Sequence, residues 1–205
     1  PIESLKIITC HLGNGASIDA VKGGIAVDTS MGFTPLAGLL MGTRSGDIDP
    51  AVVTYIMEKE NISPEHANHE FLNKESGLLG VSGVSSDMRD IVKAMNEGHD
   101  RAKLAFDMFC YRVQKYIGGF MVAMEGLDVL VFTAGIGENQ GEVREAICER
   151  LGFLGLELDP EKNRLPKQEM IISTPDSKIT VMVIPTNEEL VIARETRKLV
   201  SECQA

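Results

Sequence analysis

A short and almost unbroken apolar run, residues 127–134, constrains the fold of this chain more than any other feature. Runs of this kind are typical of strands in a sheet that is covered on both faces. The run ends in a glycine turn that starts at Gly135, and a helical pattern follows over residues 142–151, with Asn139 as its expected cap. A strand, a glycine turn and a helix in this order form a unit of α/β proteins. We therefore expect an α/β domain with a buried strand beside a helix.

The opening of the chain predicts an antiparallel meander. Strand patterns cover residues 5–10, 16–21 and 25–28. Asn14-Gly15 is a hairpin signal between the first two patterns, and residues 22–24 turn the chain into the third. Together with the later strand, the meander predicts a mixed sheet.

Polar residues followed by proline mark the next helix starts. Asp49-Pro50 opens a helical pattern that runs toward Glu60, and Ser63-Pro64 opens another. A third helix is expected over residues 87–96, with Ser85 or Ser86 as its N-cap.

The longest helical pattern runs from Asp100 to about Met124 and has a wide apolar face. Gly118 and Gly119 lie inside it, and each costs about 1 kcal/mol relative to alanine. We expect close packing of another backbone against these glycines to compensate for that cost.

The last part of the chain predicts a hairpin and a helix. Residues 170–173 and 179–184 have strand patterns around a Thr-Pro-Asp-Ser turn. The final helix is expected over residues 188–202, with Thr186 and Glu189 forming a capping box.

Composition excludes several classes of function. The net charge of −10 and the lack of any basic run argue against nucleic acid as a partner. No apolar stretch approaches the ~20 residues that span a bilayer, and the amino terminus has no signal-peptide pattern. The scattered cysteines predict reduced thiols in a cytoplasmic protein, and they are Cys10, Cys110, Cys148 and Cys203.

Three glycine-containing turns are candidates for holding phosphate, at residues 13–15, 83–89 and 135–139. Such turns allow backbone N–H groups to approach an anion, and two of them open a helix. Taken singly, each is better explained by a plain loop. Gly135-x-Gly137 is not a full dinucleotide fingerprint, and the chain has no P-loop motif.

Two charged residues are candidates for chemistry. Arg44 lies in a glycine-flanked loop, which suits a guanidinium that reaches a transferring phosphoryl group, although a surface arginine is the plainer interpretation. Glu189 is spaced for the capping box, which leaves Glu188 free to face a metal ion, but acids often pair by chance at a helix start.

The order of the motifs resembles that of the acetate kinase family. The resemblance covers essentially the whole chain and is to the carboxy-terminal half of that family, whose complete members are longer. The motifs that carry it are His11-Leu12-Gly13-Asn14-Gly15-Ala16-Ser17, Asp28-Thr29-Ser30-Met31-Gly32-Phe33-Thr34-Pro35-Leu36, Met41-Gly42-Thr43-Arg44-Ser45-Gly46-Asp47, Ser85-Ser86-Asp87-Met88-Arg89, Phe132-Thr133-Ala134-Gly135-Ile136-Gly137-Glu138-Asn139 and Pro185-Thr186-Asn187-Glu188-Glu189.

The resemblance implies a fold and a set of site residues. The fold is an RNase H-like α/β domain of the actin-like ATPase type, with residues 1–205 as a carboxy-terminal nucleotide-binding domain. Arg44 is implied as the transition-state arginine and Glu188 as the magnesium-associated acid. The implied nucleotide-binding residues are His11, Leu12, Gly13, Asn14, Gly15, Asp87, Met88, Arg89, Gly135, Ile136, Gly137, Glu138 and Asn139.

The resemblance also implies a reaction. The γ-phosphoryl group of ATP would move reversibly to a carboxylate, giving ADP and acetyl phosphate, with Mg²⁺ bound. A homodimer is implied, together with an amino-terminal half that is absent from this chain, so that the chain alone would be nearly inactive. Two alternatives remain open, a non-catalytic nucleotide-binding or dimerisation module and one half of a propionate or butyrate kinase.

Overall fold

A six-stranded mixed sheet forms the centre of the molecule in the computed structural model. The structure describes residues 1–165 and 168–203, except for the side chains of Glu188 and Cys203. The strands lie in the order β3-β2-β1-β4-β6-β5. They are β1 (Lys6–Leu12), β2 (Ala16–Lys22), β3 (Ile25–Thr29), β4 (Val129–Thr133), β5 (Met170–Ile171) and β6 (Thr180–Val183).

The pairing of the strands confirms the mixed sheet. The first three strands form the antiparallel meander that the hairpin signals predict. In contrast, β4 pairs in parallel with β1 on one side and with β6 on the other. The short strand β5 pairs antiparallel with β6, which confirms the predicted hairpin.

Helices flank this sheet. They are α1 (Pro50–Glu60), α2 (Pro64–His66) with a π-helical turn at Ala67–Leu72, α3 (Gly77–Ser82), α4 (Met88–Asn96), α5 (Asp100–Met124), α6 (Ala134–Asn139), α7 (Gly141–Glu149), α8 (Pro160–Arg164) and α9 (Glu188–Cys203). The predicted caps of the first two are confirmed, because Asp49 accepts from the backbone N–H of Ala51 and Ser63 accepts from that of His66.

The core lies between one face of the sheet and α5. Alternate side chains of β1, namely Ile8, Cys10 and Leu12, are completely buried, as the two-residue period of a strand requires. Phe109 and Ile117 of α5 are also completely buried. Each such side chain contributes roughly 1.5–3 kcal/mol through burial. This core therefore supports the edge of the sheet at which β1 and β4 end.

Contrary to the prediction, no other backbone within the described part of the chain packs against Gly118 and Gly119. Both glycines are exposed, and apart from the adjacent backbone of α5 itself, no described atom lies within 4 Å of a Cβ built on either. The same side of α5 exposes apolar side chains: Leu104, Met108, Tyr111 and Val122. The glycines therefore lie on an open surface of the helix.

Two helix starts differ from the predictions. The N-cap of α4 is Asp87, whose carboxylate accepts from the backbone N–H of Arg89, while Ser85 accepts from that of Asp87. The capping box at α9 is also wrong. Asn187 accepts from the backbone N–H of Leu190, and the Thr186 hydroxyl instead contacts Thr133 at the end of β4 and Ala134 at the start of α6.

Helix α9 carries exposed apolar side chains along its length, including Leu190, Val191, Ile192, Leu199 and Val200. None of the helices among residues 1–165 and 168–203 has the length and apolar character needed to cross a membrane. The thiols of Cys10, Cys110 and Cys148 are unpaired and buried.

Candidate functional site

A cleft of about 710 Å³ opens where the parallel strands β1 and β4 end. Because these strands are neighbours in the sheet, the turns that follow them leave the same edge, where α/β proteins commonly bind ligands. These turns form two sides of the cleft, and the start of α4 forms the third. The cleft is lined by Gly13, Asn14, Ser86, Asp87, Met88, Arg89, Gly135, Ile136, Asn139 and Gln140. All three predicted glycine-containing segments therefore contribute to one site.

The turn at residues 13–15 is closed by a hydrogen bond from the Gly13 amide to the Gly15 carbonyl at 3.0 Å. A Cβ on Gly13 would lie 3.1 Å from that carbonyl oxygen, so the turn has little room for a side chain. The Asn14 carbonyl accepts from the Gly42 amide at 2.9 Å. The turn is thus fixed to the loop that precedes Arg44.

The segment after β4 is helical from its first residue. The sequence predicts a glycine turn with Asn139 capping the following helix, but residues 134–139 form α6 themselves. Asn139 donates from its side chain to the Gly135 carbonyl at 2.8 Å, and Gln140 precedes α7 without a side-chain cap. The prediction of an Asn139 cap is therefore wrong.

Helix α6 begins with backbone strain. Ala134 has a φ of 64°, in the left-handed region that costs a residue with a side chain roughly 1–2 kcal/mol. Its amide donates to the Thr186 hydroxyl at 3.1 Å, and that hydroxyl also lies 2.7 Å from the Thr133 hydroxyl. These bonds hold the strained junction between β4 and α6 in place.

Gly135 and Gly137 have different surroundings although they are two residues apart. Gly135 is exposed to the cleft, and a Cβ there would meet no described atom within 4 Å. Gly137 is buried, and a Cβ there would lie 3.4 Å from the carbonyl carbon of Phe132. Only the first of them leaves its backbone open to a ligand.

Glu138 turns away from the cleft. Its carboxylate accepts from the backbone N–H of Thr186 at 2.9 Å. Thr186 therefore contacts α6 through both its amide and its hydroxyl. We call these contacts the Thr186 clasp, and they connect α6 to the segment that leads into Glu188.

At the start of α4, an ion pair lies on the rim of the cleft. The Arg89 guanidinium donates to both carboxylate oxygens of Asp87, with Nη2 and Oδ2 at 2.5 Å. Hydrogen bonding to Arg89 lowers the pKa of Asp87, and the same bond raises the pKa of Arg89. Met88, between them, is buried and forms part of the cleft floor.

Arg44 lies next to the turn at residues 13–15 rather than in the cleft lining. Its Nη1 would be 3.4 Å from a Cβ built on Gly15, and it donates to the Pro35 carbonyl at 3.2 Å. Among the residues that the structure describes, no carboxylate forms an ion pair with Arg44. Its charge is therefore available to an anion beside this turn.

The remaining predicted residues lie close to the cleft but do not line it. His11 is in β1 opposite Ser17 and Thr133, and Leu12 is completely buried in the core. The implied nucleotide-binding residues omit Ser86 and Gln140, which line the cleft. Ser86 lies within the predicted segment 83–89, and Gln140 directly follows the segment 135–139, so their positions in the sequence are the signal that could have found them.

The predicted metal ligand Glu188 has its side chain outside the described residues, so its role stays a prediction. Among the side chains that the structure describes, which exclude those of Glu188 and Cys203, no group of three His, Cys, Asp or Glu is placed to hold a metal ion. Mg²⁺ is often bound by one or two carboxylates together with substrate phosphates. A site at Glu188 would be of that kind.

Comparison with known proteins gives a consistent result. The model of the acetokinase family matches residues 1–194. The acetate kinase of Carboxydothermus hydrogenoformans is 62% identical over 200 residues, which cover 98% of this chain and 50% of that protein. That of Acetivibrio thermocellus is 60% identical over 200 residues, again with 98% and 50% coverage. The chain thus spans about half the length of these relatives.

Solved structures agree with the fold. The crystal structure of Porphyromonas gingivalis acetate kinase matches with a TM-score of 0.92 and 51% identity, over 97% of this chain and 50% of that one. A propionate kinase from Francisella tularensis subsp. tularensis SCHU S4 matches with a TM-score of 0.86 and 46% identity, over 94% of this chain and 49% of that one. The predicted α/β fold of the actin-like type is confirmed.

Proposed function

The chain belongs to the acetokinase family, and on that premise we propose that residues 1–205 supply the nucleotide-binding half of an acetate kinase. The reaction would be reversible transfer of the γ-phosphoryl group of ATP to acetate, giving ADP and acetyl phosphate. The observation that carries this proposal is the cleft of about 710 Å³, where the three predicted phosphate and nucleotide segments converge.

The residues of the cleft suit a nucleotide. The open backbone at Gly135 leaves room for phosphate oxygens to approach N–H groups, and Gly13 and Asn14 line the same cleft. Arg44, beside that turn and without a carboxylate partner in the described part of the chain, would neutralise charge on the transferred group. Positioning and charge stabilisation account for most catalysis of this type.

We place the magnesium ion near the start of α9. The Thr186 clasp brings the chain two residues before Glu188 to the first residue of α6, and a carboxylate oxygen is a ligand that Mg²⁺ prefers. When bound, the ion would supply positive charge that offsets the negative charge of the phosphates. Glu188 would hold it together with the nucleotide.

The other half of the enzyme would complete the site. The chain spans about half the length of its relatives, so we assign most of the acyl pocket and the remaining catalytic groups to that half, and expect this chain alone to be nearly inactive. Apolar side chains are exposed on α9 and around β3, including Ile192, Val27 and Phe33. Their exposure supports the proposal that further polypeptide covers these surfaces. We propose a cytoplasmic location for the whole enzyme.

A second candidate function is association without catalysis. The exposed apolar side of α5, with Leu104, Met108, Tyr111 and Val122, favours a homodimer formed through this half. A dimer is compatible with the kinase as well. A module that only associates would form dimers in sedimentation equilibrium and fail to produce acetyl phosphate when mixed with the amino-terminal half of a relative.

The acyl substrate is a separate question. This chain matches an acetate kinase and a propionate kinase over nearly its whole length. A propionate or butyrate kinase therefore remains an alternative to the acetate kinase. Rates with the three carboxylates, measured on the two mixed halves, would distinguish them.

The first test is calorimetric titration of this chain with Mg-ADP. We expect saturable binding that weakens at least about tenfold in Gly135→Val, because the side chain enters the cleft without meeting other protein atoms. Gly152→Val is the matched control, since Gly152 is also free of neighbours within 4 Å but lies outside the cleft.

Two results would contradict the proposal. Equal binding by the chain and Gly135→Val would remove residues 135–139 from the nucleotide site. If the folded chain bound no nucleotide, and mixing with the other half restored neither binding nor activity, this half would serve only for association.

A further inference from the structure

A buried arginine lies directly behind the nucleotide segment. Arg144 of α7 is only 2% exposed. Its Nη1 donates to the Gly137 carbonyl of α6 at 2.7 Å. Its Nε and Nη2 donate to the side-chain and backbone oxygens of Asn163, at 2.8 and 2.6 Å. The guanidinium thus joins α6 to α8 through three hydrogen bonds in fixed directions.

Asn163 completes this arrangement. It is 3% exposed, and its side-chain amide donates to the Gly141 carbonyl at 3.0 Å. A Cβ on Gly141 would lie 3.1 Å from the Asn163 carbonyl oxygen. The arginine, the asparagine and the glycine therefore pack closely around the connection between α6 and α7.

The charge of Arg144 has no ion-pair partner in the described part of the chain. Burial lowers the pKa of its guanidinium, because the charged form loses its hydration. A buried charge is costly even when it is paired, and apolar side chains often replace it without loss of stability. Stability alone therefore gives little reason for a guanidinium at this position.

The position of the Gly137 carbonyl suggests another reason. Gly135, Ile136 and Asn139 of α6 line the cleft, whereas Gly137 is buried and its carbonyl is turned to Arg144. The helix has only six residues and starts with the strained Ala134. Such a short helix depends on contacts from outside to keep its orientation.

We propose that Arg144 is a positioning residue of the nucleotide site, which fixes α6 by binding the Gly137 carbonyl and is itself oriented by Asn163. This inference rests on the proposed nucleotide function of the cleft. It assigns no contact between Arg144 and the nucleotide. A lysine could not replace the arginine, because a single ammonium lacks the planar geometry that reaches both partners.

The test combines amide hydrogen exchange with nucleotide binding. In Arg144→Met we expect exchange of residues 134–140 to accelerate at least about tenfold while β4 keeps its protection, and the Kd for Mg-ADP to rise by a similar factor. Arg144→Lys should show the same changes in exchange and in Kd as Arg144→Met, because an ammonium has the charge but not the planar donor geometry that holds α6.

Gln114→Met is the matched control. The Gln114 side chain donates to the Ala146 carbonyl of α7 at 2.8 Å, so its loss weakens the same helix without touching α6. We expect a lower Tm in this variant with no selective change in residues 134–140 and an unchanged Kd. Asn163→Ala provides a second variant if Arg144→Met does not fold.

Two outcomes would overturn the inference. One is unchanged exchange in residues 134–140 of Arg144→Met, and the other is an equal effect in Gln114→Met at a matched loss of Tm. If the parent chain binds no nucleotide, the proposed function fails separately, and the exchange experiment still decides whether Arg144 holds α6.

Discussion

Gly42 donates its backbone N–H to the Asn14 carbonyl at 2.9 Å and has no room for a side chain. A Cβ on Gly42 would overlap the side-chain oxygen of Asn14 and lie 3.0 Å from the Ser86 carbonyl oxygen. The cleft segments around residues 14 and 86 therefore meet the loop around residue 42 at one glycine. The loop that carries Arg44 is positioned by this contact.

Replacing this glycine should affect both stability and binding. We expect Gly42→Ala to lower the free energy of unfolding by about 1–3 kcal/mol, as overpacking usually does. It should also weaken Mg-ADP binding, because Asn14 lines the cleft and must move. Urea unfolding and calorimetry measure the two effects. Gly152→Ala, which meets no atom within 4 Å, should change neither, and an equal loss there would refute the packing argument.

The Thr186 clasp makes a second prediction. Thr186→Val removes the hydroxyl that accepts from the buried Ala134 amide, and we expect a loss of about 1–2 kcal/mol in the free energy of unfolding. Thr186→Ser keeps the hydroxyl and should therefore retain most of the stability that Thr186→Val loses. Amide exchange at Ala134 provides the direct measurement. Identical exchange in Thr186→Val and the parent would show that the clasp contributes nothing.

The exposed glycines of α5 should tolerate alanine. Because Gly118 and Gly119 lie in a helix with no neighbour within 4 Å, we expect each alanine substitution to raise the free energy of unfolding by about 0.5–1 kcal/mol. Gly126→Ala is the contrasting control, since its φ of 139° is unsuited to a side chain. Destabilisation by Gly118→Ala, measured in urea, would instead indicate a contact on this surface.

The contribution of Tyr116 to the stability of the chain should decrease at alkaline pH. The pKa of Tyr116 is raised to about 12. Burial is the larger cause, and a hydrogen bond to Asp47 is the next. The phenol in the unfolded chain has a pKa of about 10, so unfolded molecules lose this proton first. The contribution of Tyr116 is therefore complete below about pH 10 and is lost as the pH rises toward 12.

Tyr116→Phe isolates this contribution. At pH 8 we expect the variant to be less stable by about 1 kcal/mol, because the hydrogen bond to the Asp47 carboxylate is absent. The difference between parent and variant should shrink as the pH rises from 10 to 12. Urea titrations at each pH would give the two curves, and parallel curves would refute the pKa assignment.

The regular elements follow from local rules that a sequence displays directly. The bounds of α5 agree with its predicted range, and the meander of β1 to β3 follows its turn signals. The caps at Asp49 and Ser63 act on amides two or three residues away. Apolar period, turn residues and caps all act over short distances along the chain, which is why they can be recognised without a structure.

The site was only partly predictable, because its contacts join residues far apart in the chain. The order of the motifs pointed to the three segments and to the family, and the cleft brings those segments together. No local pattern indicates that the Thr186 hydroxyl contacts Ala134 across 52 residues. Local spacing predicts a capping box for that hydroxyl, and the family resemblance implies that Glu138 binds the nucleotide.

The sequence by itself determined the class of fold, most helices and strands, and the segments that form the cleft. Tertiary structure alone decided which side chains face that cleft, why α6 begins at Ala134, and how Arg144 is used. It also left Gly118 and Gly119 exposed, although their helical pattern is unchanged. The physical reason is that burial and hydrogen-bond partners depend on which elements pack together, and the periodicity of a single segment does not specify its neighbours.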